Sequence, residues 1–111
     1  FMVVDKGDNP LNFVDPSGTA MFVYSIQRGV ELGLLKAKEY TPVAYRGYQS
    51  LFPFIQVNDR GLLDVIGACD GVVIKKNFVE YVIVPKILNA KEAVAGILWA
   101  AVIMETEQLK K

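Results

Sequence analysis

The residues able to do chemistry fall into three short stretches and one isolated position. Asp15, Ser17 and Thr19 stand in "DPSGTAM", Cys69 and Asp70 in "GACDG", and Lys75 beside Lys76, with Tyr81 further on. Ser17 and Thr19 open a helix, where hydroxyls and free N–H groups can meet an anionic or hydroxylated ligand at the positive helix end. The plainer reading is that they and Asp15 satisfy the first-turn donors themselves. Asp70 is a candidate ligand contact, but an Asp before Gly is first of all a turn residue. Tyr81 offers a phenol to a pocket rim, against a packing role in a strand. Cys69 needs a neighbouring base to act as a nucleophile, and the chain contains no histidine, so it reads as an inert buried thiol. Lys75 and Lys76 read as a wetted loop. No metal-ligand cluster and no phosphate-cradling glycine motif is present, so no metal or cofactor is expected.

Composition limits what such residues can serve. The chain has 111 residues, one domain's worth, of which 52% are hydrophobic, and its mean hydropathy is +0.29. A domain of this size buries only roughly two-thirds of its unfolded surface. Such an apolar excess calls for a partner, either a second copy or the rest of a larger protein. Twelve basic and twelve acidic residues cancel, which removes the electrostatic footprint of a nucleic-acid or anionic-membrane binder. A single cysteine excludes an internal disulfide. No stretch has the order of a signal peptide and the first residue is Phe1, so the natural N-terminus is expected upstream.

Helical elements must position these groups. Asp15 as cap and Pro16 at the first helical position predict a helix from 16 to 32, stopped at Gly33. Ser25, Gly29 and Gly33 recur every four residues and suggest close packing. Ala44, Tyr48, Leu51 and Ile55 share a helical face, with Pro42 in the first turn and Pro53 marking the end. "QVNDRGLLDVI" has the form of a β-hairpin around residues 58 to 61, and "NFVEYVIVP" that of a strand, as does "FMVV" at the start. Asn89 and Glu92 have the spacing of a capping box. From Ala93 to Met104 every residue except Gly96 is apolar, so the closing helix has no wet face. The run is too short for a bilayer span and charges close both ends. It is therefore an interior helix, with Ala93, Gly96 and Ala100 as a small-residue line. The order is interior helix, outer helix, hairpin excursion, interior helix, the alternation a helical toroid needs.

The segments "VVDKGDNPLNFVDPSGTAMFVYSIQRGVELGLL", "EYTPVAYRGYQSLF", "DRGLLDVIGACDG" and "EYVIVPKILNAKEAVAGILWAAVIMETE", in this order and spacing, resemble the C-terminal third of family-105 glycoside hydrolases. These are the unsaturated rhamnogalacturonyl hydrolases, related to the unsaturated glucuronyl hydrolases. Asp15, Ser17, Gly18, Thr19, Ala20 and Met21 match one family pattern, and Asn89, Lys91 or Glu92, Val94, Ala100 and Glu105 another. The chain departs from them at Pro16, at Ala90 and Ala93, and at Cys69-Asp70-Gly71.

The resemblance implies a mainly α fold: residues 1–111 as a single-domain segment of an (α/α)6 toroid, with about three helices and a small β-hairpin. It implies a substrate, an oligosaccharide ending in an unsaturated uronic acid. A carboxylic acid protonates the enol ether, water adds, and the hemiketal opens to release the next sugar. The resemblance puts that acid upstream of Phe1, so no catalytic residue is assigned here. Ser17, Thr19, Asp70 and Tyr81 are the substrate-lining candidates. A bacterial cytoplasmic or periplasmic location is also implied. The alternative is a non-catalytic helical module that oligomerises or docks on another chain. Either way the isolated segment is expected to self-associate, with no nucleic-acid or membrane partner.

Overall fold

The computed structural model describes residues 1–110. Four helices, rather than three, carry the chain: α1 (Pro16–Glu31), α2 (Ala37–Gln49), the short α3 (Phe78–Val82) and α4 (Lys91–Leu109). Between α2 and α3 lie β1 (Ile55–Val57), β2 (Leu63–Val65) and β3 (Ala68–Cys69), and β4 (Lys86–Ile87) precedes α4. None of the described helices is long and apolar enough to cross a membrane.

α1 begins as its sequence dictates. Asp15 is extended and its carboxylate accepts the Ser17 N–H at 2.8 Å, with Pro16 in the first turn. At the other end the N–H of Leu34 bonds the Gly29 carbonyl at 2.9 Å and that of Gly33 the Val30 carbonyl at 3.0 Å. Gly33 has φ +73°, so this is a Schellman stop at the expected glycine. α2 starts earlier than its prolines suggest. Pro42 lies inside the helix rather than in its first turn, and Ile55 has already passed into β1. A 3₁₀ turn over Phe52–Phe54 breaks the run at Pro53.

The three long helices run in alternating directions. An added Cβ on Gly96 would lie 3.2 Å from Ala20 Cβ and 3.5 Å from the Ser17 carbonyl oxygen. Further along, the Tyr24 and Trp99 rings pack at a 47° tilt with centroids 5.3 Å apart, and Lys110 reaches Glu31 at 3.6 Å. Starts thus lie beside starts, and α1 and α4 are parallel. α2 runs against α4, since Tyr48 bonds Glu105 while Thr41 and Pro42 meet Glu107 and Gln108. The expected small-residue line of α4 is the seam, with Ala93, Gly96 and Ala100 fully covered. The line expected on α1 is not a seam. Gly29 makes room for Leu35 and Gly33 serves the stop, while close approach falls to Ala20 and to Val23 against Gly47. The core includes Val23, Tyr48, Ile97, Ile103 and Met104 from the helices and Leu51 just after α2, and Val65 and Ala68 join it from β2 and β3.

The hairpin forms as expected: β1 and β2 pair antiparallel, Ile55 opposite Val65 and Val57 opposite Leu63. The Asn58 side chain organises its loop by accepting the N–H groups of Arg60 and Leu62, and Gly61 takes φ +75°. Two expectations give way, and one short strand has no counterpart in the sequence reading. "FMVV" forms bends held by Asn12, whose amide donates to the Val3 and Lys6 carbonyls. "GACDG" contributes β3, paired with β4. "NFVEYVIVP" is not a strand: Asn77 caps α3 by accepting the Glu80 N–H at 3.0 Å.

The capping box at Asn89 and Glu92 is likewise absent. α4 starts after Ala90 with no side-chain cap. Asn89 takes φ +55° and turns to β2 instead, its N–H donating to the Val65 carbonyl and its side-chain oxygen accepting the Val65 N–H at 2.7 Å. Its amide nitrogen donates to Asp64 at 2.9 Å. It closes the hairpin's free edge, a demand stronger than one helix donor.

The result is a slab, 43 × 38 × 22 Å, with a radius of gyration of 15.0 Å, against about 13 Å for a compact domain of this length. Its accessible surface is 7474 Å², roughly 1,400 Å² more than a folded monomer of this mass exposes. Exposed apolar side chains are spread along the whole chain, and on α4 they include Leu98, Trp99 and Val102, 59%, 62% and 68% exposed.

Candidate functional site

Because α1 and α4 are parallel, their N-terminal ends meet on one side of the slab. Beside the start of α1 opens a cavity of about 250 Å³, lined by Asp15, Ser17, Gly18, Thr19 and Phe22 from the helix and by Phe1, Met2 and Val4 from the N-terminal bends. This is below the roughly 300–1,000 Å³ typical of small-ligand pockets.

Asp15 is the organiser of the cavity wall. Its Oδ1 accepts both the Ser17 N–H and the Ser17 hydroxyl, the latter at 2.6 Å. Its Oδ2 accepts the Cys69 thiol at 3.0 Å. The Thr19 hydroxyl donates to the Asp15 carbonyl at 3.2 Å. Both Asp15 oxygens accept, so the carboxylate positions the Ser17 and Cys69 side chains. Of the first-turn donors it is Asp15 that accepts one, the Ser17 N–H, while Ser17 and Thr19 turn their hydroxyls to Asp15 and stand among the residues lining the cavity. Their donated protons are taken, which leaves their oxygen lone pairs as what they can offer a ligand.

Cys69 is buried, and burial first, then the Asp15 carboxylate that accepts its proton, pushes its thiol up to about 11. A thiol so held is protonated at neutral pH and is no nucleophile. Asp70 follows it, exposed, ahead of Gly71 at φ +63°. Through Cys69 it is anchored at the same end of the slab, but it is not among the residues lining the cavity. Tyr81 sits on α3, where its oxygen accepts the Lys75 N–H at 3.0 Å and folds back the 75–77 loop. Its phenol serves that loop, and nothing joins it to the cavity wall. Among the described residues no cluster of His, Cys, Asp or Glu has the arrangement of a metal site.

The contact between Asp15 and Cys69, 54 residues apart, had no sequence signal. Nor did the closing of the cavity by Phe1, Met2 and Val4, which depends on Met2 donating to the Phe13 carbonyl at 2.7 Å.

With this geometry established, comparison with known proteins assigns the family. The model described as Glycosyl Hydrolase Family 88 matches residues 2–108. The chain belongs to that family. A solved glycoside hydrolase of family 105 from C. acetobutylicum ATCC 824 superposes on 94% of this family 88 chain with a TM-score of 0.84 and 27% sequence identity. The overlay covers 31% of that enzyme, so the family 88 chain spans less than a third of its length.

Proposed function

We propose that residues 1–111 form an arc of a helical toroid in a glycoside hydrolase acting on oligosaccharides that end in an unsaturated uronic acid. The arc supplies two inner helices, α1 and α4, and one outer helix, α2. The supporting observation is the parallel pair α1 and α4 with α2 antiparallel outside it, sealed at Gly96 and Ala20 and left bare at Leu98, Trp99 and Val102. Helices on a closed ring repeat in one direction on each layer, and the bare face is what the next inner helix would cover. The overlay on a chain about three times as long supports the same reading.

In this proposal the reaction is protonation of the enol ether by a carboxylic acid outside residues 1–111, followed by hydration. Within the arc, Ser17 and Thr19 contribute hydroxyl oxygens to the wall of the sugar site, and Asp15 fixes them in place. The specific sugar class rests on the sequence resemblance to the unsaturated uronyl hydrolases. The test is loss of ultraviolet absorbance of the conjugated double bond when the enzyme carrying this arc meets an unsaturated rhamnogalacturonyl or glucuronyl disaccharide. Loss of absorbance with release of the second sugar is expected. An unchanged spectrum with a correctly folded enzyme contradicts the proposal.

A further inference from the structure

Four glycines lie inside the described helices, and three of them make room for a neighbour. A Cβ on Gly29 would stand 2.9 Å from Leu35, one on Gly47 2.7 Å from Val23, and one on Gly96 3.2 Å from Ala20. Gly18 is the exception, since a Cβ there would meet nothing within 4 Å. Its φ is not positive either, so no turn demands a glycine at this place. Inside a helix alanine is the better residue, because glycine gives up more backbone freedom on folding. Gly18 therefore keeps open a space that no described residue fills. That space adjoins the cavity at the start of α1, which Gly18 helps to line.

Phe22, one turn onward, lines the same cavity and is 62% exposed. The wall thus has two chemical halves. One is the pair of hydroxyl oxygens on Ser17 and Thr19, whose protons are already given to Asp15. The other is the aromatic ring of Phe22 beside the bare backbone of Gly18. Acceptor oxygens next to a flat apolar face suit a sugar ring, which donates its hydroxyl protons to the first and lays its weakly positive C–H groups on the second. An anionic group is poorly served here. No Lys or Arg stands among the lining residues, and the positive end of α1 is already held by the Asp15 carboxylate.

We infer that Gly18 and Phe22 form the floor under a neutral sugar ring, the one linked to the unsaturated uronic acid and released by the reaction. This rests on the sugar reading above and assigns which part of the substrate residues 1–111 hold. Phe22 supplies the face on which the ring lies, and Gly18 sets how closely it approaches. A methyl group at position 18 would stand where the sugar does. The uronate carboxylate lies outside this cavity.

The experiment is steady-state kinetics of the whole enzyme carrying residues 1–111, followed by loss of ultraviolet absorbance from an unsaturated disaccharide. Wild type, Gly18→Ala, Phe22→Ala and Phe22→Leu are compared, with the melting temperature of each. KM is expected to rise about 3–10-fold in Phe22→Ala and in Gly18→Ala, with the smaller share of the loss in kcat. Phe22→Leu, which keeps apolar bulk but not the flat face, should fall between wild type and Phe22→Ala. The neutral monosaccharide, added as a product inhibitor, should weaken by the same factor as KM rises. Gly18→Ala should melt no lower than wild type, because its methyl meets no protein atom. An unchanged KM in Gly18→Ala and Phe22→Ala overturns the inference. So does a product-inhibition constant that stays put, or a lowered melting temperature in Gly18→Ala, which would give the glycine to packing. A well-folded wild-type enzyme that leaves the absorbance unchanged overturns the sugar reading and this inference with it, whereas turnover with indifferent variants overturns this inference alone.

Discussion

The Cys69 thiol donates to Asp15 Oδ2 at 3.0 Å, while Asp15 Oδ1 caps α1. One carboxylate thereby ties the loop after the β-hairpin to the start of the first long helix. Asp15→Ala removes both functions and should cost about 0.5–2 kcal/mol from the cap alone. Asp15→Asn keeps the cap but removes the charge, so it should cost less and lower the thiol part-way from about 11, since burial, the larger cause, remains. Denaturant midpoints and the alkylation rate of Cys69 at mildly alkaline pH check both. Equal stability losses for the two variants, with no change in alkylation, would contradict this reading.

Tyr48 donates to Glu105 Oε1 at 2.7 Å and links the outer helix α2 to α4. Burial, then the neighbouring carboxylate, raises the phenol from 10.0 to about 12. A raised folded pKa means stability fully present below pH 10 and lost as pH climbs toward 12, because the unfolded chain releases this proton first. Tyr48→Phe should cost about 0.5–1.5 kcal/mol at neutral pH, Glu105 being exposed enough to turn to water. It should also flatten the alkaline loss in that window, although Cys69, raised from 9.0 to about 11, contributes its own decline. Stability curves of both proteins from pH 8 to 12 provide the check.

Gly47 faces Val23, and an added Cβ would stand 2.7 Å from Val23 Cγ2. Val23 is buried and β-branched, so it cannot swing aside. Gly47→Ala should therefore destabilise by about 1–3 kcal/mol despite the helical preference of alanine. Val23→Ala opens room for the new methyl, so the double variant should be less destabilised than the two single losses combined. Chemical denaturation of the four proteins measures this, and strict additivity would contradict the close approach.

These contacts show where sequence reading succeeds. Asp15, Pro16 and Gly33 mark both ends of α1 because caps and stops are local chemistry. The apolar run of α4 and its small residues were legible because they have no other use. The pattern Asn-x-x-Glu, however, occurs twice, at Asn77–Glu80 and at Asn89–Glu92, and only the first caps a helix. The second fails because Asn89 faces the open N–H of Val65, a neighbour that only the tertiary fold supplies. α3 was misread as a strand because its Phe, Val, Tyr and Val are β-formers held helical by that one cap. At the candidate site Ser17 and Thr19 were legible as residues of a helix start. Their fixing by Asp15 together with Cys69 was not, since a contact across 54 residues leaves no local mark.

The central claim is that the bare face of α4 belongs under another helix of a ring. Sedimentation equilibrium of residues 1–111 in isolation, across a wide concentration range, tests it most directly. The chain as a whole exposes roughly 1,400 Å² more than a folded monomer of its mass, of the order that a stable protein interface buries in total, about 1,600 Å², and the α4 face is part of that surface. The expected result is reversible association in the micromolar range, abolished by Trp99→Lys with Val102→Lys while the helix content is retained. A folded, solitary monomer at every concentration, with Trp99 shielded by its own residues, would contradict the account.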